Sequence, residues 1–390
     1  MPARPTTTPG PAGPVLTLRQ LNRTTLLRQA LIERAPWTAP EAVGRLAGLQ
    51  AQHANSPYVA LWSRVDGFRI AELEAALRQR SVIKGTLMRS TLHLVSAQDV
   101  AAFDAAGAEG RIANWRPTAR RAGVDILALH RQLLAYAAEP RSVAEMEAFL
   151  ETIVPGTRVA DHAPSGVRGV GFRLASAPGR LVHVPPSGLW ASHGKPRYID
   201  LGVWLAGAVA PDAAAALRLA AIRYLTAYGP ASIADFAKWV GESRITRARA
   251  AIEGLGERVR RYVGPDGREL VDLDGLTFAT GDETAPGRFL ARWDSVVIGY
   301  DVRDRIMPDA LFPLVVRIKN GDFLPSFTVD GFVAGSWMTE TVRGEAILTI
   351  TPAIPVRSTS IRAQLTDEAE RLVRFVAPHA TRHEVRWADG

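Results

Sequence analysis

Residues 218–275 read RLAAIRYLTAYGPASIADFAKWVGESRITRARAAIEGLGERVRRYVGPDGRELVDLDG, and this stretch decides the predicted fold. Apolar residues recur at helical spacing up to Pro230, and a second helix is predicted to restart at Ser232. A third helix is predicted over 241–256, followed by two β-rich runs around a Gly-Pro-Asp-Gly turn. The residues expected to face inward on the third helix are Ile245, Ala248, Ile252 and Leu255. Three helices followed by a β-hairpin make a winged helix, in which the third helix would be the recognition helix.

The same beginning occurs three times along the chain. Segments 24–49, 129–153 and 218–241 each start with an amphipathic helix and break at a proline. Each then restarts with a hydroxyl residue followed three positions later by an acid, which is the pattern of a capping box. The pairs are Thr38 with Glu41, Ser142 with Glu145 and Ser232 with Asp235. Their spacing of roughly 90 to 105 residues predicts a repeated helix-turn-helix unit.

The predicted fold class is α+β, with three tandem winged helices and a β-rich C-terminal domain. In the first unit, a third helix near 71–81 and a strand pair through 96 complete the pattern. In the second unit, the wing is assigned to 179–190 and is preceded by a basic loop, GVRGVGFR. After about 286, alternating strands, NGD and VDG turns and a helix near the end predict the last domain. The predicted divisions are 1–16 (disordered arm), 17–97, 98–205 and 206–285 (winged helices), and 286–390 (β-rich domain).

Composition excludes several classes of protein. The chain has 390 residues, no cysteine and a formal net charge of +8. Without cysteine there are no disulfides, thiol chemistry or zinc fingers. We find no apolar run long enough for a bilayer and no signal-peptide core, so we expect a cytoplasmic protein with no membrane partner.

The positive charge has two interpretations. A GC-rich genome favours arginine codons, whereas a phosphate-binding surface needs arginine for its chemistry. The distribution of the arginines favours nucleic acid, because they cluster on the predicted third helix, its hairpin and the basic loop. The predicted DNA contacts are Arg168, Arg173, Arg180, Arg244, Arg247, Arg249, Arg258, Arg260 and Arg261.

The stretch GLQAQHANSPYVALW (48–62) carries Gln50 and Gln52. The pattern EAVGRLAGLQAQ predicts one helix, on which residues two apart point about 200° apart. Both amides could reach one substrate only if the helix ended or unwound between them. In the structural interpretation, Gln50 caps backbone groups and Gln52 is solvated.

Several histidines and aspartates could likewise have either a catalytic or a structural role. His53 could shuttle a proton and His93 is predicted to lie on a strand face, but a lone histidine is usually structural. Asp294, Asp301, Asp304 and Asp309 could activate water or could pair with Arg303 and Arg305 to fix a turn. We find no nucleotide fingerprint and no nucleophile elbow, and we predict neither a metal site nor a cofactor.

Four segments, taken in order, resemble the AlkZ-like and YcaQ-like bacterial DNA glycosylases. They are LAGLQAQHANSPYVALWSRV, KGTLMRSTLHLVSAQD, RWDSVVIGYDVRDRIMP and FTVDGFVAGSW. The resemblance, over about 17–380, implies three winged helices forming a concave, C-shaped surface. It also implies a monomer that excises bulky N7-alkylated purines and interstrand crosslinks from double-stranded DNA. The family's catalytic signature matches Gln50-Ala51-Gln52, the Gln/Gln form associated with self-resistance in antibiotic producers.

Two neutral amides suit that reaction for a chemical reason. An N7-alkylated guanine already carries a positive charge and leaves as a neutral base, so no acid is required. We therefore expect Gln52 to orient the water and Gln50 to hold the water or the deoxyribose. The main alternative is a winged-helix transcriptional regulator without catalysis, and another is a protein that sequesters the alkylating drug.

Overall fold

The computed structural model describes residues 13–155, 159–191, 194–317 and 321–388, which form a mixed α+β fold. Its helices include α1 (Leu18–Arg28), α2 (Ala39–Arg45), α3 (Ser56–Trp62), α4 (Ile70–Arg78), α5 (Val100–Ala122), α6 (Ile126–Tyr136), α7 (Val143–Glu151), α8 (Val170–Ser176), α9 (Leu201–Trp204), α10 (Ala213–Tyr228), α11 (Ile233–Val240), α12 (Ile245–Glu253), α13 (Ser295–Ile298), α14 (Phe312–Val315) and α15 (Thr359–Val376). Its strands include β1 (Leu49–Gln50), β2 (Val82–Thr86), β3 (Leu92–Ser96), β4 (Arg141–Ser142), β5 (Leu181–Val184), β6 (Arg197–Asp200), β7 (Val259–Val263), β8 (Glu269–Leu273), β9 (Phe289–Leu290), β10 (Val316–Arg317), β11 (Asp322–Phe323), β12 (Ser326–Val329), β13 (Phe332–Val342), β14 (Glu345–Pro352) and β15 (Arg382–Trp387).

We call 18–96 the first unit, 100–204 the second unit and 213–273 the third unit. All three predicted capping boxes are present: the Thr38, Ser142 and Ser232 hydroxyls each accept from the backbone N–H three residues on. The acid at that position reaches back to the cap backbone N–H in each case. Each box therefore satisfies two orphan donors and fixes the start of the second helix of its pair.

The helix predicted through Gln52 is wrong. Helix α2 ends at Arg45, and Ala47 and Gly48 follow with φ of 55° and 88°. A Cβ at Gly48 would come within 2.9 Å of the Val95 side chain, so this turn also needs the close approach that glycine allows. The chain leaves the turn as strand β1, and the next helix, α3, begins only at Ser56.

The first two units share one sheet. Its strand order is β1-β3-β2-β5-β6-β4, and β2 of the first unit pairs with β5 of the second through Lys84 and His183. The predicted second wing was misplaced: β5 lies within 179–190, but its returning partner β6 lies at 197–200. The GVRGVGFR segment is also not all loop, because α8 begins at Val170.

The third unit has the predicted three helices and hairpin, but one residue predicted to face the core of its third helix faces solvent instead. Ala248 and Ile252 are buried, whereas Ile245 is 44% exposed. At the start of the described chain, the Leu16 N–H donates to the Val263 carbonyl of β7. Residues 13–16 therefore belong to the fold, in contrast to the predicted disordered arm, of which 1–12 lie outside the described residues.

The C-terminal strands form a sheet of order β15-β14-β13-β12-β9, with the predicted VDG turn between β12 and β13. The first residue of the predicted NGD turn lies outside the described residues. The sheet and α15 do not enclose a core of their own. Phe289, Trp337 and Leu372 pack in one apolar cluster with Leu49 and Tyr58 of the first unit. Through this shared core, the C-terminal sheet packs against the segment that carries Gln50.

No helix in the described ranges has the length and apolar content needed to cross a bilayer.

Candidate active site

Gln50 lies at the end of an edge strand and is nearly buried, with 8% of its surface exposed. It pairs across the ladder with His93 of β3, and its backbone N–H donates to the Ser295 hydroxyl at 3.4 Å. The Ala51 N–H continues the ladder to the Leu92 carbonyl at 2.7 Å, so the chain is still extended beyond Gln50. The objection raised by a helical motif therefore no longer applies, because Gln50 ends a strand and Gln52 lies at a bend beyond it.

The Gln50 side chain is held by Arg89, from the turn between β2 and β3. Arg89 Nη2 donates to Gln50 Oε1 at 2.8 Å and to His93 Nε2 at 3.2 Å. A guanidinium can only donate, so the amide oxygen of Gln50 must face it. That oxygen keeps one further lone pair, and in the described parts of the chain the NH₂ group donates to no acceptor. The predicted capping of backbone groups by Gln50 is thus replaced by a contact with a cation.

Arg89 itself is fixed by the third unit. Its Nη1 donates to the Trp239 carbonyl at 2.8 Å, at the end of α11. Gly241 follows with φ of 82°, and a Cβ there would lie 2.8 Å from the Arg89 backbone nitrogen. Arg89 has φ of 52°, an uncommon conformation for arginine. Among the described residues, the guanidinium of Arg89 contacts only neutral acceptors and forms no ion pair with a carboxylate.

His93 is neutral and has one defined tautomer. Its Nε2 must accept from Arg89, so the proton is on Nδ1, which donates to the Thr91 carbonyl at 3.0 Å. Burial, reinforced by the charge of Arg89, lowers the pKa of His93 to about 3. Burial also lowers the pKa of Arg89 to about 10, which leaves its guanidinium charged at neutral pH. The arrangement is therefore a cation, a neutral imidazole and an amide.

Gln52 is exposed and lies at the edge of a cavity of about 440 Å³. Its Oε1 accepts from the Leu92 N–H at 3.4 Å, a long contact at the end of the β1–β3 ladder. The side chain thus has a weak structural role and can still reach solvent. We call this space the Gln52 cavity, and it lies between the first two units.

His53 lies against a different group of side chains. Its Nε2 accepts from Arg292 Nη1 at 3.2 Å, and its ring lies 5.2 Å from that of Trp293. Burial and the positive charge of Arg292 lower the pKa of His53, so it is a poor acid at neutral pH.

Two of the four carboxylates that could have activated water, Asp294 and Asp301, have structural partners, whereas Asp304 and Asp309 are exposed. Asp294 forms a fully buried ion pair with Arg64, with oxygens 2.6 and 3.0 Å from the guanidinium, and it caps α13. Asp301 pairs with Lys238 at 3.0 Å, rather than with Arg303 or Arg305 as the sequence suggested. The Asp294 pair orients the helix that begins with Ser295, directly behind Gln50.

The predicted DNA-contacting arginines fall into two groups. Arg168 and Arg173 are exposed at the Gln52 cavity, and Arg249 and Arg258 are exposed on the third unit. No carboxylate in the described parts of the chain pairs with any of these four. The others are ion-paired: Arg180 with Asp200, Arg244 with Glu109, Arg247 with Glu242, Arg260 with Asp274 and Arg261 with Glu269.

The third-unit hairpin is consequently not the basic element that the sequence suggested. Residues 257–274 contain four arginines and five carboxylates. Arg180 is not among the described residues that line the Gln52 cavity; its backbone N–H donates to Asp104 and its side chain pairs with Asp200 at 2.8 Å.

Arg89 is not among the predicted site residues, although it lies inside the segment KGTLMRSTLHLVSAQD. No local pattern marks it, since its contact with Gln50 joins residues 39 positions apart. The only available signal was its place between two predicted strands, four residues before His93.

Comparison with known proteins agrees with this fold. A model of the AlkZ-like DNA glycosylase family matches residues 43–375. A Streptomyces sahachiroi relative named interstrand DNA cross-link repair glycosylase is 28% identical, over 92% of this chain and 97% of the relative. The solved structure of Streptomyces sahachiroi DNA glycosylase AlkZ is similar in fold, with a TM-score of 0.78 and 21% identity, covering 96% of this chain and 100% of that chain. Because the family match spans most of the sequence, this protein belongs to the AlkZ-like DNA glycosylase family.

Proposed function

We propose that this DNA glycosylase hydrolyses the N-glycosidic bond of bulky N7-alkylated purines and does not cut the DNA backbone. We include interstrand crosslinks from DNA-alkylating natural products among the substrates, which would make the enzyme a self-resistance repair protein. The observation that supports this choice is the chemistry around Gln50 and Gln52. The nearby histidines, His53 and His93, have lowered pKa values, and the Asp294 carboxylate is paired with Arg64. The site therefore offers two neutral amides and no ready proton donor.

Such a site suits a leaving group that needs no proton. Cleavage of a glycosidic bond develops oxocarbenium character on the sugar, and ordinary glycosidases use an acid to protonate the departing group. An N7-alkylated purine already carries the positive charge and departs neutral. Neutral amides can then position water and face the developing sugar cation, while undamaged bases remain attached.

The geometry suggests separate roles for the two amides. Exposed Gln52 is the better candidate to orient the attacking water. Gln50 is fixed by Arg89 and would hold the water or the deoxyribose through its remaining lone pair and its NH₂ donors. Arg89 is a positioning residue in this scheme. Having no carboxylate partner among the described residues, it is also suited to a DNA phosphate beside the lesion.

We further propose that the three units are tandem winged helices along a concave, C-shaped DNA-binding surface. The units would correspond to 17–97, 98–205 and 206–285, with 286–390 as the C-terminal element. Arg168 and Arg173 at the Gln52 cavity, with Arg249 and Arg258, are the best candidates for phosphate contacts. The enzyme would act as a monomer on double-stranded DNA, in the bacterial cytoplasm at the nucleoid. The family match does not favour the alternative of a transcriptional regulator.

The test uses a duplex with one N7-methylguanine and the variants Gln50→Ala, Gln52→Ala and the double substitution. We expect each single variant to release the base roughly 100-fold more slowly, because a preorganised polar group is lost from the transition state. Gln79→Ala, an exposed glutamine of the first unit, is the matched control. Duplex binding is measured in parallel. Near-normal release by the double variant would contradict the proposed mechanism.

A further inference from the structure

We propose that the Gln52 cavity binds an aromatic substituent carried on N7 of the damaged purine, and that it selects for bulky lesions. This inference rests on the proposed function, since the substituent must belong to a base whose bond is cut beside Gln52. It adds a recognition site for the alkyl group itself, distinct from the two amides.

The cavity is large enough for such a group. Its volume of about 440 Å³ falls within the range of roughly 300–1,000 Å³ found for small-molecule sites. Gln52 and Leu92 form the side nearest the glutamine motif, and the opposite walls come from α5, α8 and β6 of the second unit. A substituent extending from a base held at Gln52 would therefore point between the first two units.

Three aromatic side chains line the walls, and each is partly exposed. They are Trp115 on α5, Phe172 on α8 and Tyr198 on β6. The rings of Phe172 and Tyr198 lie 5.3 Å apart at an angle of 56°, so they form an angled platform rather than a stack closed on itself. Partly exposed rings of this kind stack on flat ligands and tolerate differences in their structure.

The charge of the cavity matches DNA. Among the described residues that line it, three are arginines and none is an aspartate or glutamate. Arg111 is buried and donates to Asp104, so it serves the fold. Arg168 and Arg173 are exposed without a carboxylate partner in the described chain, although Arg173 Nε donates to the Arg168 carbonyl at 3.0 Å. The cavity thus has an aromatic interior and a cationic edge for the phosphates that flank the lesion.

The test compares two duplexes of identical sequence, one with N7-methylguanine and one with N7-(1-naphthylmethyl)guanine. Base release is measured under single-turnover conditions at several enzyme concentrations, which separates the half-saturating concentration from the maximal rate. The variants are Phe172→Ala and Trp115→Ala, which remove a wall, and Ser176→Phe, which fills the cavity. Tyr136→Ala is the matched control, because Tyr136 stacks on Phe149 in the same unit outside the cavity.

We expect each cavity variant to lower the ratio of naphthylmethyl to methyl release by about tenfold, mainly through the half-saturating concentration. The control should leave that ratio unchanged. An unchanged ratio in the cavity variants would overturn the inference and leave the proposed function intact. Wild-type enzyme that releases only the methylated base would contradict the proposed action on bulky lesions, and this inference with it. Wild-type enzyme that releases neither base would overturn the proposed function, and this inference with it.

Discussion

The hairpins of the first and third units share one architecture and use their arginines differently. In the β7–β8 hairpin, Arg260 and Arg261 form ion pairs with Asp274 and Glu269 at 2.8 and 2.7 Å. In the β2–β3 hairpin, Arg89 instead donates to an amide, an imidazole and a backbone carbonyl.

This difference shows that an arginine's partner indicates its role better than its position in a basic segment does. Exposed ion pairs such as that of Arg260 contribute about 0–1 kcal/mol and leave little charge for a phosphate. A partly buried guanidinium facing only neutral acceptors keeps its charge and orients those acceptors. The proposed catalytic residue Gln50 therefore lies beside Arg89, an arginine that has no carboxylate partner among the described residues. Arg89 belongs to the first unit, in which the sequence showed no cluster of basic residues.

The largest expected effect is on Arg89. Replacing it with methionine frees the Gln50 amide, and we expect single-turnover release of N7-methylguanine to slow roughly 100-fold, since a misplaced catalytic group costs about that much. Arg260→Met should stay within about twofold, because its ion pair is exposed. The measurement is the maximal rate at saturating enzyme. A loss confined to binding affinity would show that Arg89 contacts DNA without positioning Gln50.

A second effect concerns His93 and pH. The folded protein holds His93 neutral, with a pKa of about 3, whereas an unfolded imidazole titrates near 6.5. The unfolded state therefore binds more protons between about pH 3 and 6.5, and the unfolding free energy falls as the pH is lowered through that window. His183, whose pKa burial also lowers to about 3, contributes in the same direction.

We expect His93→Gln to weaken this pH dependence by up to about 1.4 kcal/mol per pH unit, the slope for one proton. Urea unfolding at pH 7, 6 and 5 measures it, with His379→Gln at an exposed position as the control. Equal slopes for wild type and His93→Gln would mean that His93 binds the same number of protons in the folded and unfolded states, and would contradict a lowered pKa in the folded protein.

The smallest effect separates the two groups of arginines by salt dependence. For an undamaged duplex, Arg173→Ala should reduce the slope of log K against log salt by about one unit, as expected for one lost phosphate contact. Arg261→Ala should leave the slope unchanged, since Glu269 already neutralises that charge. A smaller slope for Arg261→Ala and an unchanged slope for Arg173→Ala would show that the β7–β8 hairpin, and not the Gln52 cavity, contacts the DNA phosphates.

Local signals in the sequence predicted much of the fold. The hydroxyl and acid pairs at Thr38, Ser142 and Ser232 located the second helix of each unit, because a capping box is complete within four residues. The turn at 264–267 located the third hairpin for the same reason. Long-range pairing could not be predicted in this way: nothing near Lys84 indicates that its strand joins that of His183 in one sheet.

The residues of the candidate site also differ in whether the sequence could predict them. Gln50 and Gln52 were found through the family resemblance, although periodicity placed them on a helix. The turn at Gly48 and the ladder with β3 override that periodicity, since burial against the C-terminal sheet favours an extended chain. Arg89 and the aromatic walls of the Gln52 cavity depend on contacts between units, which one sequence does not display.

The proposed mechanism is tested by comparing N7-methylguanine and hypoxanthine in otherwise identical duplexes with the wild-type enzyme. Both are purines of similar size, but only the first carries the positive charge that makes it a good leaving group. We expect release of N7-methylguanine and no release of hypoxanthine above the uncatalysed rate. Comparable rates for the two bases would contradict this mechanism, since the site would then have to supply the proton that two amides and two neutral histidines cannot.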